Sequence, residues 1–370
     1  MSKQSHRSKK ANKSKQRRHK RNRKQSNLNR IHALLKQKKS KKRKILFDLF
    51  FKELNYYESG ITSIIKDITY NNELKVAVNL WRTNRDKAIE IYGEIGDWDT
   101  SKITSMIDLF DGYEEFNDNI NGWDVRKVKH MKGLFKGCRL FNHPLNDWDV
   151  SSVTNMVGMF SGCMFFDQSL NEWGVSKVTN MEGMFSDCSH FNQPLNTWNV
   201  SRVTNMKDMF IGCRLFNQTL NDWDVSRVTN MSNMFNYCRQ FNQPLNLWNV
   251  SRVNNMEGMF EECFVFNLPL NNWVVSKVTD MNKMFSDCKQ FNQSLNKWKV
   301  NRVKNMEWMF DGCIEFDQPL NSWKINKDTI TTNIFKNCPI KDKNKPLISR
   351  SSRSSRSNSY CEGKYCTIMG

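Results

Sequence analysis

Ten tryptophans recur along this chain at a constant interval of 25 residues, from Trp98 to Trp323. A fixed period over so many copies is typical of a solenoid, in which each repeat contacts only its neighbours and none folds alone. The period therefore predicts a stack of about ten repeats over 98–340. The tryptophans predicted to form its structural ladder include Trp148, Trp173, Trp198, Trp223 and Trp248.

One repeat, residues 145–169, shows how each copy is expected to fold. Its recurring apolar positions are Leu145, Trp148, Val150, Val153, Met156, Met159, Phe160, Cys163 and Phe166. The alternation of Trp148 and Val150 favours a short strand, and the wider apolar spacing from Val153 onwards favours a helical turn. The predicted fold class is a leucine-rich-repeat-like α+β solenoid, with one short strand and one helical turn per repeat and a small helical N-terminal cap.

Two further residue types follow the same period. Nine of the 11 cysteines do so, including Cys163, Cys188, Cys213 and Cys238. One thiol per repeat does not converge on a point, as metal ligands must, so we expect small, buried, reduced side chains. An asparagine that follows the second phenylalanine, such as Asn142, is predicted to be buried and to satisfy backbone groups. No metal and no cofactor is expected.

The repeated run resembles a known family. It reads Trp-x-Val-Ser-x-Val-Thr-x-Met-x-x-Met-Phe-x-x-Cys-x-x-Phe-Asn-Gln and is similar to the BspA-like leucine-rich repeats. That class has repeats of about 25 residues and occurs in bacterial surface proteins, large DNA viruses and protists. The resemblance covers about 98–338, with a lead-in at 77–81 and 92–95. It implies a binding surface and no catalytic activity.

The net charge of +20 lies entirely on one segment, because residues 1–44 contain 20 lysines and arginines and no acidic residue. This segment is predicted to be a disordered basic arm. Binding to RNA or DNA, nuclear targeting, anionic lipid binding and simple solubilisation all fit its composition. The residues selected for nucleic-acid contact are Arg17, Arg18, Lys20, Arg21, Arg23, Lys24, Lys41, Lys42, Arg43 and Lys44.

A second basic feature lies inside the repeats, at the position between the serine and the second valine. We name six of its residues the basic ladder: Lys177, Arg202, Arg227, Arg252, Lys277 and Arg302. Such a ladder can track a phosphate backbone or an acidic partner. It can equally reflect a solvated turn whose long side chains lie over the repeat.

The remaining segments complete the predicted organisation. Residues 45–97 are expected to form the N-terminal cap, with helices at 45–54, 74–81 and 86–91. Residues 341–370 resemble a disordered tail and contain a short Ser/Arg repeat at 349–357. No apolar run is long enough for a transmembrane segment, and none has the form of a secretory signal peptide. An intracellular and possible nuclear location is therefore predicted.

No arrangement typical of an enzyme is found in the sequence. The six histidines do not share a repeat position, and there is no Gly-rich phosphate loop. We therefore predict a non-catalytic scaffold that binds a protein partner of unknown identity and takes no small-molecule substrate. Two alternatives stay open. One is a nucleic-acid-binding protein that uses the arm and the basic ladder together, and the other is a surface or virion-exposed adhesion protein.

Overall fold

The computed structural model describes residues 59–347, with side chains from Tyr70 onwards. The predictions for the arm 1–44, the helix 45–54 and the end of the tail, 348–370, lie outside these residues. The chain divides into two compact parts between Ile68 and Thr69, and every contact described below lies in the second. Among the described helices, none combines the length and the apolar character needed to cross a membrane.

The described chain begins with two helices, α1 at Ser59–Thr83 and α2 at Arg85–Tyr92. The predicted helices at 74–81 and 86–91 fall within them. Asn84 starts α2, because its side chain accepts a hydrogen bond from the Lys87 N–H. Gly93 ends α2 with a φ of +83°, a left-handed conformation that glycine adopts without a steric penalty. Short 3₁₀ turns follow at Ile95–Asp97 and, after the repeats, at Asp342–Asn344.

The predicted strand-plus-helix repeat is wrong. From 98 to 347 the described chain contains no β-strand and no α-helix. Each repeat consists of tight turns and forms a single parallel bridge with its neighbours. In the repeat 145–169 this bridge lies at Asn155, which pairs with His130 before it and Asn180 after it. The leucine-rich-repeat-like α+β class is therefore corrected to a stack of turn-built repeats.

The backbone hydrogen bonds explain why neither regular element forms. Four alternate N–H groups of one repeat donate to carbonyls of the next, at 2.7–3.2 Å: those of Met156, Gly158, Phe160 and Gly162. Intervening N–H groups close tight turns within the repeat, as the Met159 N–H does with the Met156 carbonyl. This alternation requires left-handed residues, and Gly158 and Gly162 have φ values of +58° and +77°. Left-handed residues interrupt both a helix and a strand.

All nine apolar positions of the repeat 145–169 are buried. Their rings stack in columns along the repeats, for example Phe160 on Phe185 at 5.6 Å between ring centroids and Trp148 on Trp173 at 6.4 Å. The Trp173 indole N–H also donates to the Leu145 carbonyl of the preceding repeat at 3.1 Å. Each repeat thus gains core contacts and hydrogen bonds from its neighbours.

Polar side chains add a column of their own. The Asn117 side-chain oxygen accepts a hydrogen bond from the Asn142 N–H at 3.0 Å, and the Asn142 oxygen accepts one from the Asp167 N–H at 2.9 Å. These side chains satisfy backbone groups as predicted. Asn142 is exposed, however, so the expectation that it is buried is wrong.

The second half of α1 packs on the first repeat. The Asn71 side-chain oxygen accepts hydrogen bonds from the N–H groups of Thr104 and Ser105 at 3.1 and 3.3 Å. Arg82 donates to the Gly112 carbonyl at 2.8 Å, and the Trp81 indole donates to Asp118 at 2.8 Å. The backbone at this end of the stack is therefore bonded by side chains of α1.

Candidate interaction surface

A short polar turn precedes three residues of the basic ladder, Arg202, Arg227 and Arg252. The side-chain oxygen of Asp224 accepts a hydrogen bond from the Ser226 N–H at 3.0 Å, and Arg227 follows directly. Asn199 and Asn249 close the same turn before Arg202 and Arg252. Asp or Asn is suited to this place because its short side chain can bond the backbone two residues on. The turn points the next residue away from the core.

The structure leaves the basic ladder exposed. None of its six residues forms an ion pair within the described part of the chain. The carboxylate of Asp224 lies three residues before Arg227. Hydrogen bonds from Ser226 hold the pKa of Asp224 below its ordinary value, and the charge of Arg227 lowers this pKa further. At Arg202 and Arg252 the equivalent turn residue is a neutral asparagine. Arg202 and Arg252 therefore carry positive charge that their own turns do not offset.

Exposed apolar residues occur in the same surface segments. Leu247 is 65% exposed and Val274 is 55% exposed, although both lie next to buried core positions. Leu247 is five residues before Arg252, and Val274 is three residues before Lys277. Large exposed apolar side chains beside unpaired cations are typical of a surface that binds another macromolecule.

The predicted structural ladders occupy the core. Trp148, Trp173, Trp198, Trp223 and Trp248 are buried, and the indole N–H of each donates to a leucine or isoleucine carbonyl of the preceding repeat. Cys163, Cys188, Cys213 and Cys238 are buried too, and each thiol donates to a phenylalanine carbonyl. Burial raises the pKa of each of these thiols well above its ordinary value, which keeps the reactive thiolate scarce.

Sequence reasoning missed a column of exposed apolar residues. Leu140, Phe165 and Leu215 occupy equivalent positions in their repeats and are 44%, 40% and 47% exposed. They directly precede the buried second phenylalanine of the repeat. In the sequence they therefore look like part of the buried apolar run, and their exposure is not apparent. Arg139 and Arg214, their neighbours in sequence, are also exposed. This column lies about half a repeat away from the basic ladder along the chain.

No group of three or more His, Cys, Asp and Glu side chains within the described residues is arranged to hold a metal ion. Each of the ladders instead spreads one residue type along successive repeats. The residues selected for nucleic-acid contact on the arm, from Arg17 to Lys44, lie outside the described part. Within the described repeats, the structure therefore places the side chains of the basic ladder along an extended surface.

Periodic burial and repeat-to-repeat hydrogen bonding together define a tandem-repeat protein. The chain belongs to the family described as Mycoplasma protein of unknown function, DUF285, whose model matches residues 79–198, 183–288 and 245–349. These overlapping matches extend from within α1 to the end of the last repeat. No curated protein is significantly similar to the chain.

Proposed function

We propose that this protein is a non-catalytic scaffold whose repeats bind an acidic protein partner along the basic ladder. The observation that carries the proposal is the row of exposed cations at a fixed place in successive repeats, without ion pairs in the described chain. A buried, hydrogen-bonded framework holds this row in place, so little order has to be gained on binding.

The chemistry of the partner follows from the surface. Unpaired Arg202 and Arg252 favour carboxylates, because a guanidinium can bind a carboxylate through two parallel hydrogen bonds. Exposed Leu247 and Val274 favour apolar side chains beside those carboxylates. An acidic segment with interspersed apolar residues fits both requirements.

The N-terminal arm has a separate role in the proposal. Its 20 basic residues over 1–44 support contact with RNA or DNA, or nuclear entry of an intracellular protein. The repeat motif supports a relation to the BspA-like repeats, which act as binding surfaces. A nucleic-acid-binding protein that uses arm and ladder together is the second candidate, and the unpaired ladder cations favour it.

Charge reversal in the full chain distinguishes these roles. The ladder variant is Arg227→Glu with Arg252→Glu, and its matched control is Arg139→Glu with Arg214→Glu, two exposed arginines at another position of the repeat. Fluorescence anisotropy measures binding of labelled polyglutamate, single-stranded RNA and duplex DNA across salt concentrations. We expect the ladder variant to bind polyglutamate about tenfold more weakly, and the control to match the wild-type protein.

An arm variant tests the other half of the proposal. It changes the selected arm residues to glutamine: Arg17, Arg18, Lys20, Arg21, Arg23, Lys24, Lys41, Lys42, Arg43 and Lys44. It should lose nucleic-acid binding and keep the part of polyglutamate binding that the ladder variant removes. If the ladder variant loses RNA and DNA binding as well, with a salt slope lower by about two, the nucleic-acid function is supported instead. Equal losses in the ladder variant and its control would contradict a role for the ladder.

A further inference from the structure

One set of repeat-to-repeat hydrogen bonds runs through alternate N–H groups and always donates to the following repeat. In the last described repeat these donors therefore have no repeat to accept from them. In the last full repeat, the Phe310 N–H donates to the Ile334 carbonyl at 2.9 Å and the Gly312 N–H to the Lys336 carbonyl at 3.0 Å. Among the described residues, which end at 347, no further repeat follows. Within the described chain, four alternate backbone N–H groups then have no acceptor: those of Thr331, Asn333, Phe335 and Asn337.

We call these four groups the terminal donor edge. The carbonyls from 331 to 336 all accept hydrogen bonds already. Those of Thr332, Ile334 and Lys336 accept from the preceding repeat, and those of Thr331, Asn333 and Phe335 accept within tight turns. The edge therefore presents donors alone along this segment. Asn333 and Asn337 both have a φ of +54°, the left-handed conformation that orients alternate N–H groups in the same direction. Successive N–H groups held in this way attract negative charge.

A second copy of the chain does not fit this edge. Two terminal donor edges would bring N–H groups against N–H groups, which cannot bond. Head-to-tail growth would place a second copy against the first repeat, where α1 already packs: Arg82 donates to the Asp111 and Gly112 carbonyls, and the Asn71 side-chain oxygen accepts from the Thr104 N–H. A chain of another kind that presents carbonyl oxygens fits the edge better.

Charge indicates which chain fits. Residues 324–347 contain six lysines against two aspartates, a net charge of +4. Asn333 and Lys336 are exposed, and Ile330 beside the edge is 51% exposed. We propose that the terminal donor edge binds an extended acidic peptide segment of a partner protein, whose alternate carbonyls accept from the four N–H groups. Peptides add to the open edge of a sheet by the same main-chain hydrogen bonding.

This site is independent of the basic ladder. It uses main-chain donors at the end of the stack, whereas the ladder uses side chains along it. The ladder variant Arg227→Glu with Arg252→Glu should therefore leave binding at the edge unchanged. The proposal for the terminal donor edge and the proposal for the basic ladder can therefore fail separately, because each is tested by its own variant.

The probe is a fluorescein-labelled octapeptide of alternating glutamate and valine, with a lysine–valine octapeptide as its charge control. Thr331→Pro removes one donor where no hydrogen bond is lost in the free protein, and Ile330 before it is bridge-paired and therefore extended, as proline requires. Thr331→Ala is the matched control, because it removes the side chain and keeps the N–H. Anisotropy of the full chain should show about fivefold weaker binding of the acidic peptide to Thr331→Pro alone.

A second variant and a second measurement guard against misfolding. Lys336→Glu leaves the backbone intact and should also weaken acidic-peptide binding. Hydrogen exchange should show the amides of Thr331, Asn333, Phe335 and Asn337 exchanging fast in the free protein and slowly with the peptide. The proposal is overturned if both substitutions at Thr331 have equal effects, or if the lysine peptide binds as well. It is also overturned if inorganic phosphate at equal ionic strength displaces the peptide, or if the amides are protected without it.

Discussion

Replacing one mid-stack tryptophan tests whether neighbouring repeats hold each other in place. Trp223 is 3% exposed, its ring stacks on Trp198 at 6.4 Å, and its indole N–H donates to the Leu195 carbonyl at 3.0 Å. In Trp223→Ala the core loses the ring, the preceding repeat loses its stacking partner, and a buried carbonyl loses its donor.

The size of the effect follows from these contacts. A buried tryptophan removes about 200 Å² of largely apolar surface from water, worth about 5 kcal/mol before any relaxation. Measured Trp-to-Ala losses in protein cores are about 3–5 kcal/mol, and the unpaired Leu195 carbonyl adds about 1 kcal/mol. We expect Trp223→Ala to lower the free energy of unfolding by about 4–6 kcal/mol. Trp223→Phe keeps most of the volume but not the donor, so we expect a loss of about 1–2 kcal/mol.

Urea unfolding followed by far-ultraviolet circular dichroism and tryptophan fluorescence measures these differences. Trp308→Asn is the matched control: it also removes one indole, but Trp308 lies off the 25-residue period, is half-buried and has a φ of +59° that asparagine tolerates. It should change the free energy of unfolding by less than about 1 kcal/mol. Equal stabilities of Trp223→Ala and Trp308→Asn would refute the account of how the repeats are held together.

Three further outcomes follow from the structure. Tyr237 has a φ of +60°, a left-handed conformation that is strained for any residue with a Cβ atom. Tyr237→Gly should therefore raise the free energy of unfolding by about 1 kcal/mol in a thermal melt. Unchanged or lower stability would contradict this backbone strain. With Cys361 and Cys366 changed to serine, a thiol reagent should label Cys338 first, because Cys338 is half-buried and its pKa is raised only to about 11. Simultaneous labelling of all thiols would contradict the burial of the other periodic cysteines. Hydrogen bonds lower the pKa of Asp317 from 3.8 to about 2, so its stabilising contribution is present above about pH 4 and lost as pH falls through 2. Asp317→Asn should flatten the fall in stability over that range in urea unfolding, and an unchanged pH profile would contradict it.

The period and the core were predictable from the sequence, because burial repeats every 25 residues and apolar side chains report it directly. The helices at 74–81 and 86–91 were predictable as well, but the local structure of the repeats was not. In some repeats Gly158 and Gly162 mark the left-handed positions, but elsewhere the same positions hold Asp208 and Tyr237, with φ values of +54° and +60°. Such residues give no local signal of a left-handed backbone, so apolar spacing alone suggested a strand and a helical turn.

The candidate surface was predictable only as a set of residues. The sequence identified the basic ladder, and the structure adds that Arg202 and Arg252 are exposed without an ion pair in the described chain. The terminal donor edge was beyond sequence reasoning, because its donors are backbone N–H groups at 331–337 whose direction depends on neighbouring φ values. Side-chain patterns carry no information about such a row.

The most direct test of the scaffold proposal is polyglutamate binding to the full chain in three forms: wild type, the ladder variant Arg227→Glu with Arg252→Glu, and the control Arg139→Glu with Arg214→Glu. The account predicts salt-dependent binding that falls about tenfold in the ladder variant and stays at the wild-type level in the control. Binding that falls equally in both variants would show attraction to net charge alone. That result would contradict a dedicated surface at the basic ladder.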